Sequence, residues 1–294
     1  QELEEIICEP KAYLNELMMD ENSGLPSVKE VFDTTPYTIL VVDDNPDMTD
    51  FLKRTFEGYF KRIIIAGDGV EALQLVRSHV PDIIVSDVMM PRMNGYELCK
   101  TIKEDIAISH IPVILLTAKD DKQSLISGYK NGADGYLSKP FEVEMLMELI
   151  RNRLKNREYT KKRYLNAGLI PTPEESTISL TDETFLIKLN SIIQENIDNT
   201  NLGIQFICQE VGLGRSSLYN KLKALTGMGA NEYISKLRIE KAITLISGTD
   251  MPFSEIAEKT GFTTPSYFST TFKQYTGETP SQYKERKKKG LTDQ

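Results

Sequence analysis

Between residues 37 and 157 the sequence alternates short apolar runs with segments of helical spacing. Unbroken runs of Ile, Val and Leu indicate strands covered on both faces, as in a parallel sheet. Such strands, joined by crossover helices, predict a five-stranded doubly wound α/β domain. We take its strand order to be the usual one for such domains, 2-1-3-4-5. The apolar runs are TILVVD (38–43), RIIIA (62–66), DIIVSD (82–87), PVILLT (112–117) and GYLS (135–138). The predicted helices span 47–59, 69–79, 95–105, 120–130 and 141–157.

The length and composition of the whole chain restrict the class of protein. With 40% hydrophobic and 27% charged residues, the chain is typical of globular proteins, and 294 residues favour two domains. No apolar run approaches the ~20 residues of a membrane helix, and the acidic start QELEEIICEP does not resemble a signal peptide. The three scattered cysteines, Cys8, Cys99 and Cys208, argue against a disulfide framework. We therefore expect a cytoplasmic location.

Polar side chains stand at the carboxyl ends of the predicted strands, where sites form in such sheets. Asp43 and Asp44 end the first strand and Asp87 ends the third, so the strand order brings three carboxylates together. Crowded like charges require compensation, and oxygen ligands of this kind suit Mg²⁺. Thr117 after the fourth strand and Lys139 after the fifth add a hydroxyl and an ammonium. This set of groups predicts a site for a phosphoryl group.

These residues carry a resemblance to a known family. The acidic pair, the stretch DVMMPRMNG (87–95), Thr117–Ala118 and Lys139–Pro140 resemble the receiver domain of response regulators. The resemblance implies that Asp87 accepts phosphate from a phosphohistidine of a histidine kinase. It implies that Asp44, Asp87 and the carbonyl of Met89 hold Mg²⁺ with help from Asp43. Thr117 and Lys139 would contact the phosphoryl group, Tyr136 would be the switch aromatic, and the Lys139–Pro140 bond would be cis.

Part of this region also has a structural explanation. Asn45 and Pro46 are suited to the N-cap and first position of a helix, whatever the chemistry of the acids before them. A helix cap does not require two preceding aspartates, so we favour the phosphoacceptor site.

The C-terminal part of the chain differs in charge and contains a repeat. The whole chain has a net charge of −8, whereas residues 184–294 contain 14 Lys and Arg against 11 Asp and Glu. SLYNKLKALTGMGANEY (217–233) aligns with YFSTTFKQYTGETPSQY (267–283), and each copy follows a turn, at Gly212 and at Gly261. This spacing predicts an all-helical domain with two helix-turn-helix units and a connecting helix at 231–246. Because this part has a surplus of basic residues, we expect any nucleic-acid-binding surface to lie here.

The repeated units resemble the AraC/XylS type of DNA-binding domain over about 184–286. The resemblance implies recognition helices at about 215–225 and 265–275 that enter the major groove of double-stranded DNA. We expect Arg215 to read guanine and Asn220 to read adenine. The candidate DNA contacts lie off the apolar stripes: Arg215, Ser216, Ser217, Tyr219, Asn220, Lys223, Thr264, Ser266, Tyr267, Ser269, Thr270 and Lys273.

The predicted organisation follows from these patterns. We expect an acidic tether (1–36), a receiver domain (37–157), a linker (158–181), a DNA-binding domain (182–286) that begins near an N-cap at Asp182, and a basic disordered tail (287–294). Gln1 and the tether favour a piece of a longer hybrid histidine kinase of the Bacteroidetes type, whose cytoplasmic end this chain would form.

The domains together predict a response regulator that is phosphorylated on aspartate and controls transcription, as a homodimer when phosphorylated. We expect no enzyme in this chain, because neither a kinase motif nor a phosphate-binding G-x-x-x-x-G-K-[ST] is present. Two alternatives remain open. One is a small phosphatase with Asp87 as its nucleophile, and the other is a scaffold that binds partners without being phosphorylated.

Overall fold

The computed structural model describes residues 32–118, 132–166 and 179–292. The strands are β1 (Thr38–Val42), β2 (Arg62–Ala66), β3 (Ile83–Asp87), β4 (Val113–Ala118) and β5 (Gly135–Lys139). The helices of the first domain are α1 (Pro46–Phe56), α2 (Gly69–His79), α3 (Gly95–Glu104) and α4 (Val143–Asn166). Those that follow are α5 (Leu180–Glu195), α6 (Ile204–Val211), α7 (Arg215–Thr226), α8 (Ala230–Gly248), α9 (Phe253–Lys259), α10 (Pro265–Thr276) and α11 (Pro280–Thr292).

The strands form one parallel sheet in the order β2-β1-β3-β4-β5, as predicted. Each strand lies within one residue of its predicted bounds. The central strand β3 is buried along its whole length, because helices cover both faces of the sheet. The continuous apolar runs therefore reflect burial on two sides. The helix predicted at 120–130 lies outside the described residues.

Local capping sets where the helices of this domain begin. Asn45 caps α1 by accepting a hydrogen bond from the amide of Asp47, and Pro46 takes the first helical position, as predicted. Asn94 and Glu97 form a capping box at the start of α3. Both caps follow the strands β1 and β3, so they fix the loops at one edge of the sheet.

Helix α4 is longer than predicted. It was expected to end at 157, where a linker would begin, but it continues to Asn166. The segment KNREYTKKRYLN consists mostly of residues that favour helix, and Tyr164 buries its ring in the core of the following domain. Helix propensity and this burial outweighed the absence of a regular apolar stripe. The rest of the predicted linker, up to 178, lies outside the described residues.

The C-terminal part is all helical and contains the two predicted helix-turn-helix units, α6–α7 and α9–α10. Each turn contains a glycine in the left-handed region, Gly212 with φ of 73° and Gly261 with φ of 71°. The apolar residues of the first unit, including Ile207 and Leu222, are buried in one core. Those of the second unit, including Phe268 and Phe272, are buried in another. Helix α8 contributes side chains to both cores.

Three boundary predictions need correction. The N-cap of α5 is Ser179, and Asp182 lies inside the helix with its side chain buried. The tail predicted to be disordered from 287 is helical as far as Thr292, because its three lysines and Leu291 favour helix. Asp33 to Pro36 were assigned to the tether, but Thr34 is buried and donates a hydrogen bond to the carbonyl of Tyr59. The rest of the tether, residues 1–31, lies outside the described residues.

Among the residues that the structure describes, no helix is both long and apolar enough to cross a membrane.

His110 should make the stability of the protein depend on pH. It is buried, and within the described chain neither ring nitrogen has a hydrogen-bond partner. Burial, together with the nearby charges of Arg157, Lys221, Lys103 and Lys161, lowers its pKa well below 6.5. The unfolded chain therefore binds more protons below pH 6.5, and the folded state loses roughly 1 kcal/mol between pH 7.5 and pH 5.5.

The measurement is urea unfolding at the two pH values. We expect His110→Leu to reduce the pH dependence of the free energy of unfolding. His79 is exposed and serves as the matched control, so His79→Leu should keep the wild-type pH dependence. An unchanged pH dependence in His110→Leu would contradict the assignment.

Candidate phosphoacceptor site and nucleic-acid interface

Two carboxylates lie side by side at the carboxyl edge of the sheet. Val42 pairs with Ser86 in the register of β1 and β3, so the next residues, Asp43 and Asp87, are neighbours. Both are almost completely buried, with exposures of 3% and 8%. Two adjacent carboxylates in this position repel each other and require a compensating charge.

Lys139 supplies that charge. It ends β5 and reaches past β4, and its Nζ lies 2.8 Å from Oδ2 of Asp43 and 2.6 Å from Oδ1 of Asp87. Burial alone would lower the pKa of Lys139, but hydrogen bonds and charge interactions with the two aspartates outweigh it and raise the pKa. The lysine is therefore charged at neutral pH and neutralises part of the pocket. The Lys139–Pro140 bond that follows is cis, as predicted.

Backbone donors hold the two carboxylates in place. The amide of Met89 donates to Oδ2 of Asp87 at 2.9 Å, and the amide of Asn45 donates to Oδ1 of Asp43 at 2.9 Å. Asp87 therefore has one oxygen on a backbone amide and the other on the lysine. Both amides belong to loops that lead into capped helices, so the orientation of the carboxylates depends on those caps.

The remaining predicted residues surround this pair to different extents. Thr117 is buried and follows Leu116, which is the partner of Asp87 in the strand register. Tyr136 is partly buried and packs against the core of the sheet. Asp44 and the side chain of Met89 are exposed. The structure thus brings together Asp43, Asp87 and Lys139, with Thr117 one residue beyond on the adjoining strand.

The donor set has the chemistry of a Mg²⁺ site, although it is not a closed cage. Within the described chain, no three His, Cys, Asp or Glu side chains are grouped so that they could hold a metal ion. The two carboxylates of Asp43 and Asp87 against one ammonium leave negative charge at this edge, and Mg²⁺ commonly uses only one or two carboxylates with waters. The residues therefore fit Mg²⁺ through part of the predicted set.

The loop after Asp87 depends on close backbone packing. The amide of Gly95 donates to the carbonyl of Val88 at 3.0 Å, and a Cβ at Gly95 would lie 2.2 Å from the carbonyl oxygen of Asp87. Arg92, with φ of 65°, forms an ion pair with Asp68. Sequence reasoning missed this pair, because neither residue directly ends a predicted strand: Asp68 lies two residues after β2 and Arg92 five residues after β3. The sequence did carry one related signal: Asp68 before Gly69 is suited to cap a helix, and it does cap α2.

The predicted DNA contacts lie on accessible faces of α7 and α10. Of the twelve side chains, Ser217, Asn220 and Ser269 are partly buried and the others are exposed. Some hydroxyls already have local partners: Ser269 and Thr270 donate to carbonyls one turn back. Thr264 caps α10 by accepting from the amide of Tyr267. The hydroxyls of these three residues thus already form hydrogen bonds with the backbone of α10.

A cavity opens on the exposed face of each of these helices. The one on α7 has a volume of about 380 Å³ and is lined by Arg215, Tyr219 and Asn220 among others. The one on α10 has a volume of about 530 Å³ and is lined by Ser269, Thr270 and Lys273. Gln274 and Thr279 also line the second cavity, and sequence reasoning missed both. Their positions beside Lys273 on the helix and after the turn glycine could have indicated them.

Gly95→Ala should disrupt the loop that carries the acidic pocket, because the added methyl group overlaps the Asp87 carbonyl. We expect a loss of about 2–4 kcal/mol in the free energy of unfolding. Gly67→Ala is the matched control, since its Cβ would meet only Glu71 Oε2 at 3.6 Å. Urea unfolding of both variants checks this, and equal stability of the two would contradict the close packing described.

Two family models match the chain. Residues 39–151 match the response regulator receiver domain, and residues 207–286 match a helix-turn-helix domain. The match to the first covers the strands, except Thr38 at the start of β1, and includes Asp43, Asp87 and Lys139. The match to the second covers both recognition helices.

Similar proteins are found among curated relatives and solved structures. The chain is 41% identical over 249 residues to "Histidine kinase P4" of Formosa agariphila, which covers 85% of this chain and 18% of that protein. It is 37% identical over 136 residues to "DNA-binding response regulator MtrA" of Mycolicibacterium smegmatis, with coverage of 46% and 58%. The receiver domain of Francisella response regulator 1452 is 37% identical with a TM-score of 0.37, over 41% of this chain and 98% of that one.

The chain thus spans less than a fifth of the first relative and little more than half of the second. The matched regions agree in position with the sheet and with the repeated helical units. The chain therefore belongs to the response regulators, with a receiver domain at 39–151 and an AraC-type helix-turn-helix domain at 207–286.

Proposed function

We propose that this chain is a phosphoacceptor that controls transcription by binding double-stranded DNA. The observation that carries the proposal is the acidic pocket, in which one lysine ammonium lies between the carboxylates of Asp43 and Asp87. The same chain carries two helix-turn-helix units with accessible recognition helices. A pocket whose charge changes on phosphorylation, in the same chain as a DNA-binding domain, is suited to control DNA binding by phosphorylation.

The reaction is a phosphoryl transfer to Asp87. A carboxylate oxygen of Asp87 attacks the phosphorus of a phosphohistidine; the new O–P bond forms while the N–P bond to the imidazole breaks. Lys139 stays close and stabilises the added negative charge, because its ammonium already lies 2.6 Å from Asp87. The hydroxyl of Thr117 donates a hydrogen bond to a phosphoryl oxygen.

Mg²⁺ is the expected cofactor of this site. Asp44, Asp87 and the carbonyl of Met89 would hold it, with Asp43 beside them, and the ion would supply positive charge that shields the phosphoryl oxygens. The chain itself orients Asp87 through the amide of Met89 and through Lys139.

The switch would connect Thr117 and Tyr136. When the phosphoryl group draws the hydroxyl of Thr117 inward, the ring of Tyr136, which packs against the sheet core, can repack. We infer that the altered surface of the receiver forms a homodimer in the phosphorylated state. Two copies would then bind a repeated DNA site with higher avidity than one copy.

The phosphodonor is inferred to be a histidine kinase, with the chain itself acting as acceptor and DNA reader and not as an enzyme. The similarity of most of this chain to a small part of "Histidine kinase P4" supports a kinase on the same, longer polypeptide. In that arrangement the chain would be the cytoplasmic end of a hybrid kinase. The similarity to a DNA-binding response regulator supports the second half of the proposal.

Asp87→Ala should abolish phosphorylation. We expect the wild-type chain to gain one phosphoryl group on incubation with acetyl phosphate and Mg²⁺, and the variant to gain none, by intact mass. Asp50→Ala, an exposed aspartate of α1, is the matched control and should be phosphorylated normally. Removal of Mg²⁺ with a chelator should suppress uptake. Light scattering of the same samples should detect a dimer only in chains that carry Asp87 and phosphate. Uptake by Asp87→Ala equal to that of the wild type would contradict the proposal.

Arg215→Ala should weaken binding at a particular base pair. A duplex is first selected from a randomised library with the wild-type chain. We expect the variant to lose about 1–3 kcal/mol of binding free energy and to relax discrimination at one guanine. Lys223→Ala should weaken all duplexes alike and reduce the salt dependence. Lys188→Ala, an exposed lysine of α5, is the control and should bind normally. A loss in Arg215→Ala that is uniform across sequences would contradict base reading by this residue.

A further inference from the structure

The receiver packs directly against the first helix-turn-helix unit. Ile106 and Ala107, in the loop between α3 and β4, lie against the apolar core that α5, α6 and α7 form. The hydroxyl of Thr181 at the start of α5 donates to the carbonyl of Lys103 at the end of α3, at 3.0 Å. The receiver thus supplies part of the surface that buries this unit.

A buried polar cluster lies at the centre of this contact and joins three elements. Lys221 of α7 forms an ion pair with Asp182 of α5, and its Nζ donates to the hydroxyl of Ser109 in the receiver at 2.7 Å. The same hydroxyl donates to Oδ1 of Asp182 at 2.7 Å. The side chain of Lys221 is 0% exposed and that of Asp182 is 4% exposed. Ser109 is 0% exposed.

Such a cluster depends on all its members. A buried ion pair is strongly destabilised when one partner or a hydrogen bond is removed, because the remaining charge stays desolvated and unpaired. Ser109 belongs to the receiver, so the receiver supplies this hydrogen bond to Lys221. Because both residues are 0% exposed, solvent water does not reach Lys221 to replace it. The orientation of α7 is therefore tied to the receiver.

The internal repeat shows that this lysine is not a requirement of the helix-turn-helix unit itself. With the offset of 50 residues, Lys221 corresponds to Thr271, which is also buried but carries no charge. The second unit, including α10, buries its apolar residues in a separate core of residues 239–283. At this position the first unit places a charged side chain against the receiver, and the second unit has a neutral one.

The opposite side of α7 stays open while the receiver is docked. Arg215, Tyr219 and Lys223 are exposed in the full chain. Helix α4 adds a second contact near the end of α7: Leu165 packs against Gly227, and Lys236 of α8 donates to the carbonyl of Tyr164. The receiver therefore contacts the side of α7 that carries Lys221. The opposite side, with the candidate DNA contacts Arg215, Tyr219 and Lys223, stays accessible.

We propose that Ser109, Asp182 and Lys221 form a positioning cluster through which the receiver sets the orientation of the first recognition helix on DNA. This inference rests on the proposed DNA-binding function. It goes beyond that function by making DNA reading by α7 dependent on the receiver, while reading by α10 is independent of it. The residues act through α7 and do not touch DNA.

The first experiment measures hydrogen exchange by mass spectrometry in the full chain. In Ser109→Ala, peptides that cover 105–112 and 215–226 should exchange about tenfold faster, since a hydrogen bond to a charged group is lost. Lys221→Thr, which introduces the residue of the second unit, should show about a hundredfold change in the same peptides. Exchange in 265–276 should stay at the wild-type rate. Ser78→Ala, an exposed serine of α2, is the matched control and should change none of them.

The second experiment measures base discrimination separately at the two half-sites of the selected duplex. One half-site is the set of base pairs that α7 reads, and the other is the set that α10 reads. Base pairs that α7 reads are identified as those where Arg215→Ala loses discrimination in the selected duplex. In Ser109→Ala, discrimination at these base pairs should fall at least about fivefold, while discrimination at the base pairs of α10 stays within about twofold. A general loss of stability would weaken both half-sites alike, so the split distinguishes positioning from folding.

The outcomes separate the two proposals. Unchanged exchange in Ser109→Ala, or an equal increase in 265–276, overturns the positioning cluster, as does an equal loss at both half-sites. A wild-type chain that enriches no duplex overturns the proposed DNA binding, and the exchange measurement still reports whether the receiver holds α7. If Lys221→Thr does not fold, Ser109→Ala alone decides the matter, because it removes a single hydroxyl.

Discussion

The parallel arrangement of the strands is the constraint on which the phosphoacceptor site depends. In a parallel sheet every strand ends at the same edge, so residues far apart in sequence meet there. Asp43, Asp87 and Lys139 stand at the ends of three different strands, and they form one cluster only because β1, β3 and β5 run in the same direction. The buried carboxylates are tolerated because the lysine reaches both of them. The fold therefore brings together the acceptor and the charge that stabilises it.

The structure uses buried or half-buried lysines in two different ways. Lys139 has a side chain that is 27% exposed and contacts two carboxylates, so its pKa is raised despite partial burial. Lys221 is fully buried, and burial lowers its pKa although Asp182 opposes that effect. The first lysine lies at an edge that a phosphoryl group can reach. The second is enclosed between domains, where its charge can only join elements of the fold.

Two helices connect the parts of the chain. Helix α4 begins in the receiver and buries Tyr164 in the core of the first helix-turn-helix unit. Helix α8 extends from that core into the core of the second unit, to which Ile239 and Ile246 belong. The first unit is therefore packed against both α4 and α8. The second unit packs its aromatic core against α8, and its turn at Gly261 lies close to the carbonyl of Ile197. A change in the receiver has a direct physical route to α7 and an indirect one to α10.

The sequence by itself determined the five strands of the sheet, the helix caps at Asn45 and Pro46, and the repeated units with their turn glycines. It could do so because these features depend on local periodicity, backbone conformation and short motifs. Only the tertiary structure decided that Lys139 lies between Asp43 and Asp87 and that Arg92 pairs with Asp68. It also decided that Asp182, predicted as an N-cap, is buried against Lys221 and Ser109. These contacts join residues 24 to 112 positions apart, and no local pattern specifies the partner of a charged side chain at such distances.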